Sequence, residues 1–184
     1  MGTKSDVVYE IDRDDTLIYL NTTWNDFALE NESASIISDH VLGKNILDFI
    51  CNSETRHIHT QLMEKVRCQE RPLEVPFRCD SPSLRRFMQM KITPLVDNGI
   101  QYRCQLLKAE QRQVTPVLFT QIDDQHPLLR MCSWCKKVDI GNDQWAEIEI
   151  AVDKLKLFNS PQMQQITHTI CSLCFDKFSE DNFI

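Results

Sequence analysis

The sequence predicts a mixed α+β domain over residues 1–109, followed by a small cysteine-stapled module over residues 131–184. Three observations carry this. Period-2 alternation of apolar residues marks strands at both ends of the first region. Capped, 3.6-period stretches lie between them. Two cysteine pairs of identical spacing, Cys132-x-x-Cys135 and Cys171-x-x-Cys174, close the chain.

Val7, Tyr9 and Ile11 alternate with polar neighbours, Arg13-Asp14-Asp15 interrupts, and Leu17 and Tyr19 resume the alternation up to Asn21. These are two short strands around a polar turn. Asn21-Thr22-Thr23 offers helix caps ahead of Trp24, Phe27 and Ala28. Residues 30–44 are polar and run to Gly43, and Ile46-Leu47 with Phe49-Ile50 forms an apolar anchor. Asn52 or Ser53 caps a longer helix carrying Ile58, Leu62, Met63 and Val66 and ending before Pro72. Three strands follow. Leu73, Val75, Phe77 and Cys79 share one face of the first; Met88, Met90 and Ile92 define the second; Ile100, Tyr102, Cys104 and Leu106 define the third. Asp97-Asn98-Gly99 is the hairpin signal between the last two. Alternation of this kind describes an antiparallel sheet with one face buried, and the helices are expected to cover that face.

Residues 110–130 are read as a linker, where Pro116 and Pro127 break any continuous helix and Val117-Leu118-Phe119 is its apolar stretch. In the module, Cys132-Ser133-Trp134-Cys135-Lys136-Lys137 forms a turn that presents two sulfurs. Trp145, Ile148, Val152 and Leu155 have helical spacing, Pro161 closes that region, and the second pair starts a terminal helix, so the module is expected to be mostly helical. Thiolates at a helix start face unpaired amides and the positive end of the dipole.

The net charge of −7 is spread over the chain: residues 1–112 hold 14 basic and 17 acidic side chains (14 − 17 = −3), residues 113–184 hold 6 and 10 (6 − 10 = −4). Nucleic-acid binding needs a basic footprint and is not expected. No apolar run is long enough for a membrane span, and the N-terminus has no signal-peptide core, so the expected compartment is the cytoplasm, where thiols stay reduced. Eight cysteines in that setting point to metal or redox chemistry rather than to a disulfide framework. Four cysteines as two pairs fit a structural Zn²⁺ site with no open position for hydrolysis. A reversible disulfide switch and an iron or iron–sulfur site are the competing readings. His168, three residues before Cys171, is an alternative ligand, an outer partner of the ligands or a helix cap.

Tyr9-Glu10-Ile11-Asp12, Leu17-Ile18-Tyr19-Leu20-Asn21, Trp24-Asn25-Asp26-Phe27-Ala28, Leu42-Gly43-Lys44-Asn45-Ile46 and Phe77-Arg78-Cys79-Asp80-Ser81-Pro82 together resemble a PAS sensory domain over residues 5–108. The resemblance implies a five-stranded antiparallel sheet whose helical side encloses a ligand pocket, frequent homodimerisation, and a signalling role with a protein partner. The pocket ligand is not named by the sequence. Cys51 lacks the context of a photoactive flavin cysteine. His59 borders the apolar stripe of the long helix and is a haem-ligand candidate, whereas His57 points away from it. Cys79, Cys104, Met88 and Met90 read as core residues, with the two thiols as lesser sensing candidates. Cys132-Ser133-Trp134-Cys135-Lys136-Lys137, Trp145, Glu149 and His168-Thr169-Ile170-Cys171-Ser172-Leu173-Cys174 resemble a cysteine-rich segment attached to bacterial PAS-containing sensor kinases and response regulators. There the second half usually reads His-Gly-Ile-Cys-Pro-x-Cys; Thr169 and Ser172 depart from it. No nucleotide loop, phospho-acceptor box or hydrolytic triad stands out, so a non-enzymatic signalling protein is expected. A redox or metal sensor built on the two pairs, and a PAS sensor binding haem or another small ligand, are the alternatives.

Overall fold

The computed structural model describes residues 6–31, 33–50, 52–112, 128–157 and 166–179. Cys51, the 113–127 stretch with Pro116, Val117–Phe119 and Pro127, and Pro161 lie outside them. The chain forms two compact units. Among the described residues, the first takes those within 6–77 and 87–108; the second takes those within 78–86 and 109–179.

In the first unit, strands β1 (Val7–Ile11) and β2 (Leu17–Leu20) lead into helices α1 (Thr22–Glu30), α2 (Ser38–Val41) and α3 (Ser53–Gln69). Strands β3 (Leu73–Arg78), β4 (Leu84–Pro94) and β5 (Ile100–Gln111) follow, and the ends of these strands reach into the second unit's residues. The five strands form one antiparallel sheet in the order β2-β1-β5-β4-β3. The last strand therefore lies at the middle of the sheet with the N-terminal strand beside it, Tyr9 opposite Tyr102 and Ile11 opposite Ile100. The Tyr9 and Tyr102 rings stack at 4.6 Å and Trp24 meets Tyr9 edge-on at 5.3 Å, so a cross-strand aromatic pair anchors α1 to the sheet.

Local sequence explains the element ends. Asn21 caps α1: its Oδ1 accepts from the Trp24 and Val8 amides, and its Nδ2 donates to the Asp6 carbonyl. Asn52 caps α3 by accepting from the Thr55 amide, and α3 stops where Glu70 turns left-handed (φ 50°). The stripe Ile58, Leu62, Met63 and Val66 is buried, each side chain contributing about 1.5–3 kcal/mol of transfer free energy. The β4–β5 turn puts Asp97 and Asn98 at positive φ, and a Cβ on Gly99 would lie 3.2 Å from the Ile11 carbonyl oxygen. Arg67 of α3 ties both sheet turns down through the Asn98 and Asp12 carbonyls and the Asp15 carboxylate.

The second unit departs from its mostly helical expectation. It contains a four-stranded sheet, β6 (Leu129–Cys132), β7 (Val138–Asp139), β8 (Trp145–Ala146) and β9 (Ile166–Thr169), in the order β8-β7-β6-β9. Its helices are α4 (Ile148–Leu155) and α5 (Ser172–Ser179). Strands β7 and β8 have two residues each, too short to show alternation. Trp145, expected in a helix, pairs with Asp139 in the sheet, and α4 starts three residues later. Its apolar cluster is Leu129, Met131, Val138, Ile148, Ala151, Val152 and Leu157. Among the described residues no helix is long and apolar enough to cross a membrane.

Asn21→Ala should cost about 1–2 kcal/mol, because one side chain satisfies a helix start and an edge of β1 together; denaturant unfolding followed by circular dichroism checks this.

Candidate metal centre

Strand β6 delivers Cys132 to a tight turn that returns the chain to β7. The turn is closed by the Cys132 amide on the Lys137 carbonyl (2.8 Å) and the Lys136 amide on the Cys132 carbonyl (2.9 Å). Lys136 adopts φ 60°, the left-handed region in which glycine is favoured, and its ammonium donates to the Ser133 carbonyl at 2.6 Å. Strand β9 runs parallel to β6, with Cys132 opposite Thr169, and the Ser133 amide donates to the Thr169 carbonyl at 2.8 Å. That register carries Cys171 to the side of the turn, and the first turn of α5 adds Cys174. The Trp134 ring, buried in the same turn, meets Phe178 of α5 edge-on at 4.6 Å.

The four sulfurs of Cys132, Cys135, Cys171 and Cys174 lie within 4.8 Å of one another. The Cys135 and Cys171 sulfurs are 3.8 Å apart. A disulfide needs about 2.05 Å. A tetrahedron with metal–sulfur bonds of about 2.3 Å has edges of about 3.8 Å, so the spacing fits ligation of one ion. Cys132, Cys171 and Cys174 are buried and Cys135 is half-buried. Backbone amides point at the sulfurs: Cys171 N–H at Cys132 Sγ (3.5 Å), and Lys137 N–H at Cys135 Sγ. Without a cation the thiols divide the charge unequally. Hydrogen bonds from Cys135 and Cys174 favour thiolate at Cys132, and the same bonds push Cys135 up to about 12 and raise Cys174. A divalent ion held by the four sulfurs would remove that competition, since it would stabilise all four thiolates at once. Lys136 stands beside Cys132 and Cys135, although burial lowers the pKa of its ammonium.

His168 lies in β9 opposite Met131, on an exposed position, and the four-sulfur group is complete without it. It is not at the start of α5 either, where Cys171 stands immediately ahead of Ser172. Burial and the Lys136 charge lower its pKa.

Around the end of the β3–β4 hairpin, also in this unit, lies a charge cluster that alternation did not reveal. The inward pattern Leu73, Val75, Phe77 was expected to continue to Cys79; instead Arg78 is buried and Cys79 half-buried. Arg78 makes a two-pronged pair with Asp80 and reaches Glu147 at 3.1 Å. Arg85 pairs with Glu110, Glu147 and Glu149, and Arg112 with Asp80. Glu147 directly precedes α4 yet makes no side-chain cap, because its carboxylate faces these arginines. No motif announces such a network; the arginine-rich run at 85–86 is its only trace in the sequence.

In the first unit, Met88 and Met90 are buried as core residues and Cys104 is half-buried. His57 is exposed and His59 half-buried on α3. Desolvation lowers the His59 pKa to about 4, leaving a neutral imidazole.

No family model and no curated protein matches the chain. Solved structures do. The PAS domain of BvgS from Bordetella pertussis aligns at 17% identity and TM-score 0.45, covering 56% of this chain and 77% of that one. A domain of an HTR-like protein from Haloarcula marismortui aligns at 11% identity and TM-score 0.42, covering 56% and 98%. A sensory box sensor histidine kinase from Vibrio cholerae aligns at 10% identity and TM-score 0.42, covering 58% and 84%.

The unfolded chain binds a proton at His59 between pH 6.5 and about 4 that the folded chain does not, so stability should fall as pH falls through that window. The loss is at most about 3 kcal/mol. His59→Gln should flatten the dependence of the urea midpoint on pH over that range. Arg78→Met leaves Asp80 and Glu147 facing each other without their shared cation and should cost about 3 kcal/mol or more, read from the unfolding transition seen by Trp134 fluorescence.

Proposed function

We propose that this chain is a non-enzymatic cytoplasmic signalling protein. Its first unit serves as a PAS-type sensor or interaction domain, and its second is held by a structural Zn²⁺ ion on Cys132, Cys135, Cys171 and Cys174. The observation that carries the metal reading is the convergence of four sulfurs at ligation spacing, brought together from two hairpin-and-helix starts far apart in sequence. The donor set selects the ion: thiolates suit zinc, and four of them leave no vacancy for a reacting water. The PAS reading is supported by the sequence resemblance over residues 5–108 and by a five-stranded antiparallel sheet with helices that agrees with it. Output would pass through a homodimer or a protein partner, and the acidic charge of −7 disfavours nucleic acid as that partner.

Zinc here would act as a folding element. Two of the strands in the second unit have two residues each, and its described apolar cluster is small, so it depends on a staple.

Elemental analysis of the purified chain should give about one zinc per chain, and Cys171→Ser should remove most of it. Chelation should expose Trp134 while leaving the circular dichroism of the first unit in place. A metal-free chain with Trp134 still buried would overturn the structural-zinc reading. Release of zinc and formation of disulfides under mild peroxide would favour the sensor alternative, and a Soret band in the absorbance spectrum would identify haem at His59.

A further inference from the structure

Away from the sulfurs, the second unit has a crevice of about 210 Å³ lined by Asp80, Ser81, Pro82, Arg112, Met131, Lys136 and His168. That is room for roughly seven water molecules, or for one small polyatomic ion with part of its hydration. Two of the charged lining groups are cations and one is an anion. The anion is already occupied: Asp80 Oδ1 accepts from the Arg78 guanidinium and the Arg86 amide, and Oδ2 accepts from Arg78 and Arg112. Its acceptor capacity is used up within the protein.

The cations retain donors. Arg112 is 8% exposed and fixed by the Pro82 carbonyl (3.2 Å), the Ser81 carbonyl (2.8 Å) and Asp80 (3.4 Å). Those bonds use three of the five N–H groups of a guanidinium, and Glu149 Oε1 stands 4.0 Å from Nη1 without a hydrogen bond to it. Lys136 uses one of its three on the Ser133 carbonyl, and the left-handed backbone at this residue sets the direction of its stem. The Ser81 hydroxyl and the His168 ring add polar edges, and Pro82 and Met131 supply an apolar wall. The surrounding acids, Glu147 and Glu149, face Arg78, Arg85 and Arg112, so the charge of the region is near balance. What the crevice has in excess is hydrogen-bond donors on a preordered guanidinium and an ammonium.

We propose that this crevice binds a small oxyanion, a phosphate or a carboxylate, between Arg112 and Lys136. A planar guanidinium held by backbone carbonyls presents its remaining N–H groups with little entropy left to lose, which suits two-point recognition of such a group. Its donors are not sulfur ligands, although Lys136 belongs to the turn that carries Cys132 and Cys135, so metal content is measured alongside.

Calorimetric titration of the metal-replete chain with inorganic phosphate and, separately, with malonate, at ionic strength held constant with chloride, tests this. Saturable binding of either is expected, tighter for phosphate if the natural ligand is a phosphate and tighter for malonate if it is a carboxylate. Lys136→Gln and Arg112→Gln should each weaken it about tenfold or more, with metal content and circular dichroism recorded for every variant. Should a variant lose its fold, protection of Lys136 from amine acetylation by the same anions, read by mass spectrometry on the unsubstituted chain, decides instead. No saturation in either arm, binding unchanged in a folded Lys136→Gln, or unprotected Lys136 at saturating anion overturns the proposal. Metal content is measured apart, so a failed zinc reading and a failed oxyanion site give different results.

Discussion

Four thiols packed to within 4.8 Å cannot all ionise on their own, since each thiolate raises the cost of the next. Hydrogen bonds among the thiols decide the unequal sharing of charge, favouring thiolate at Cys132 and the protonated form at Cys135 and Cys174, with burial and the neighbouring charge adding to it. Much of the second unit follows from satisfying that constraint. The β6–β7 turn directs amides at sulfur, the parallel register of β9 on β6 brings Cys171 alongside, and α5 offers its first turn to Cys174. A single cation, on the proposed reading, would relieve that repulsion and tie these three elements together. The described apolar cluster of this unit is small, with seven buried residues.

The charge cluster of Arg78, Arg85 and Arg112 is a different solution to a similar problem. Here the charges are of both signs and compensate directly. Buried pairs of this kind rarely add much net stability over apolar packing, but they tolerate few alternative arrangements, because any one partner left alone is costly. The bond of the Arg78 amide to the Trp134 carbonyl links this cluster to the sulfur-bearing turn within the unit. Arg85 Nε and Glu149 Oε1, buried and without a hydrogen-bond partner, mark where the network is least complete.

What could be read from the sequence follows from length scale. The five longer strands, the capping asparagines 21 and 52 and the Asp97–Gly99 turn were legible because each is a local pattern repeated over several residues. The convergence of the cysteines was legible because each pair has the same two-residue spacing. The small sheet was not: strands of two residues have no period, and the parallel pairing of β6 with β9 joins segments far apart in sequence. Trp145 misled for a related reason, since its spacing from Ile148 and Val152 mimics a helical stripe although the chain turns in between. Arg78 broke the alternation of β3 because one of its two compensating carboxylates, Glu147, comes from a distant helix start.

The two cysteine pairs are each local, but 36 residues separate Cys135 from Cys171. The entropy of closing such a loop grows only with the logarithm of its length, about 0.6 kcal/mol for each doubling. The centre is therefore indifferent to how much chain lies between its halves, provided that β9 still finds β6. That stretch also carries β7, β8 and α4 with the core residues Val138, Ile148, Ala151, Val152 and Leu157, so changes of length should be tolerated only outside those elements, while the two-residue gaps within each pair stay fixed.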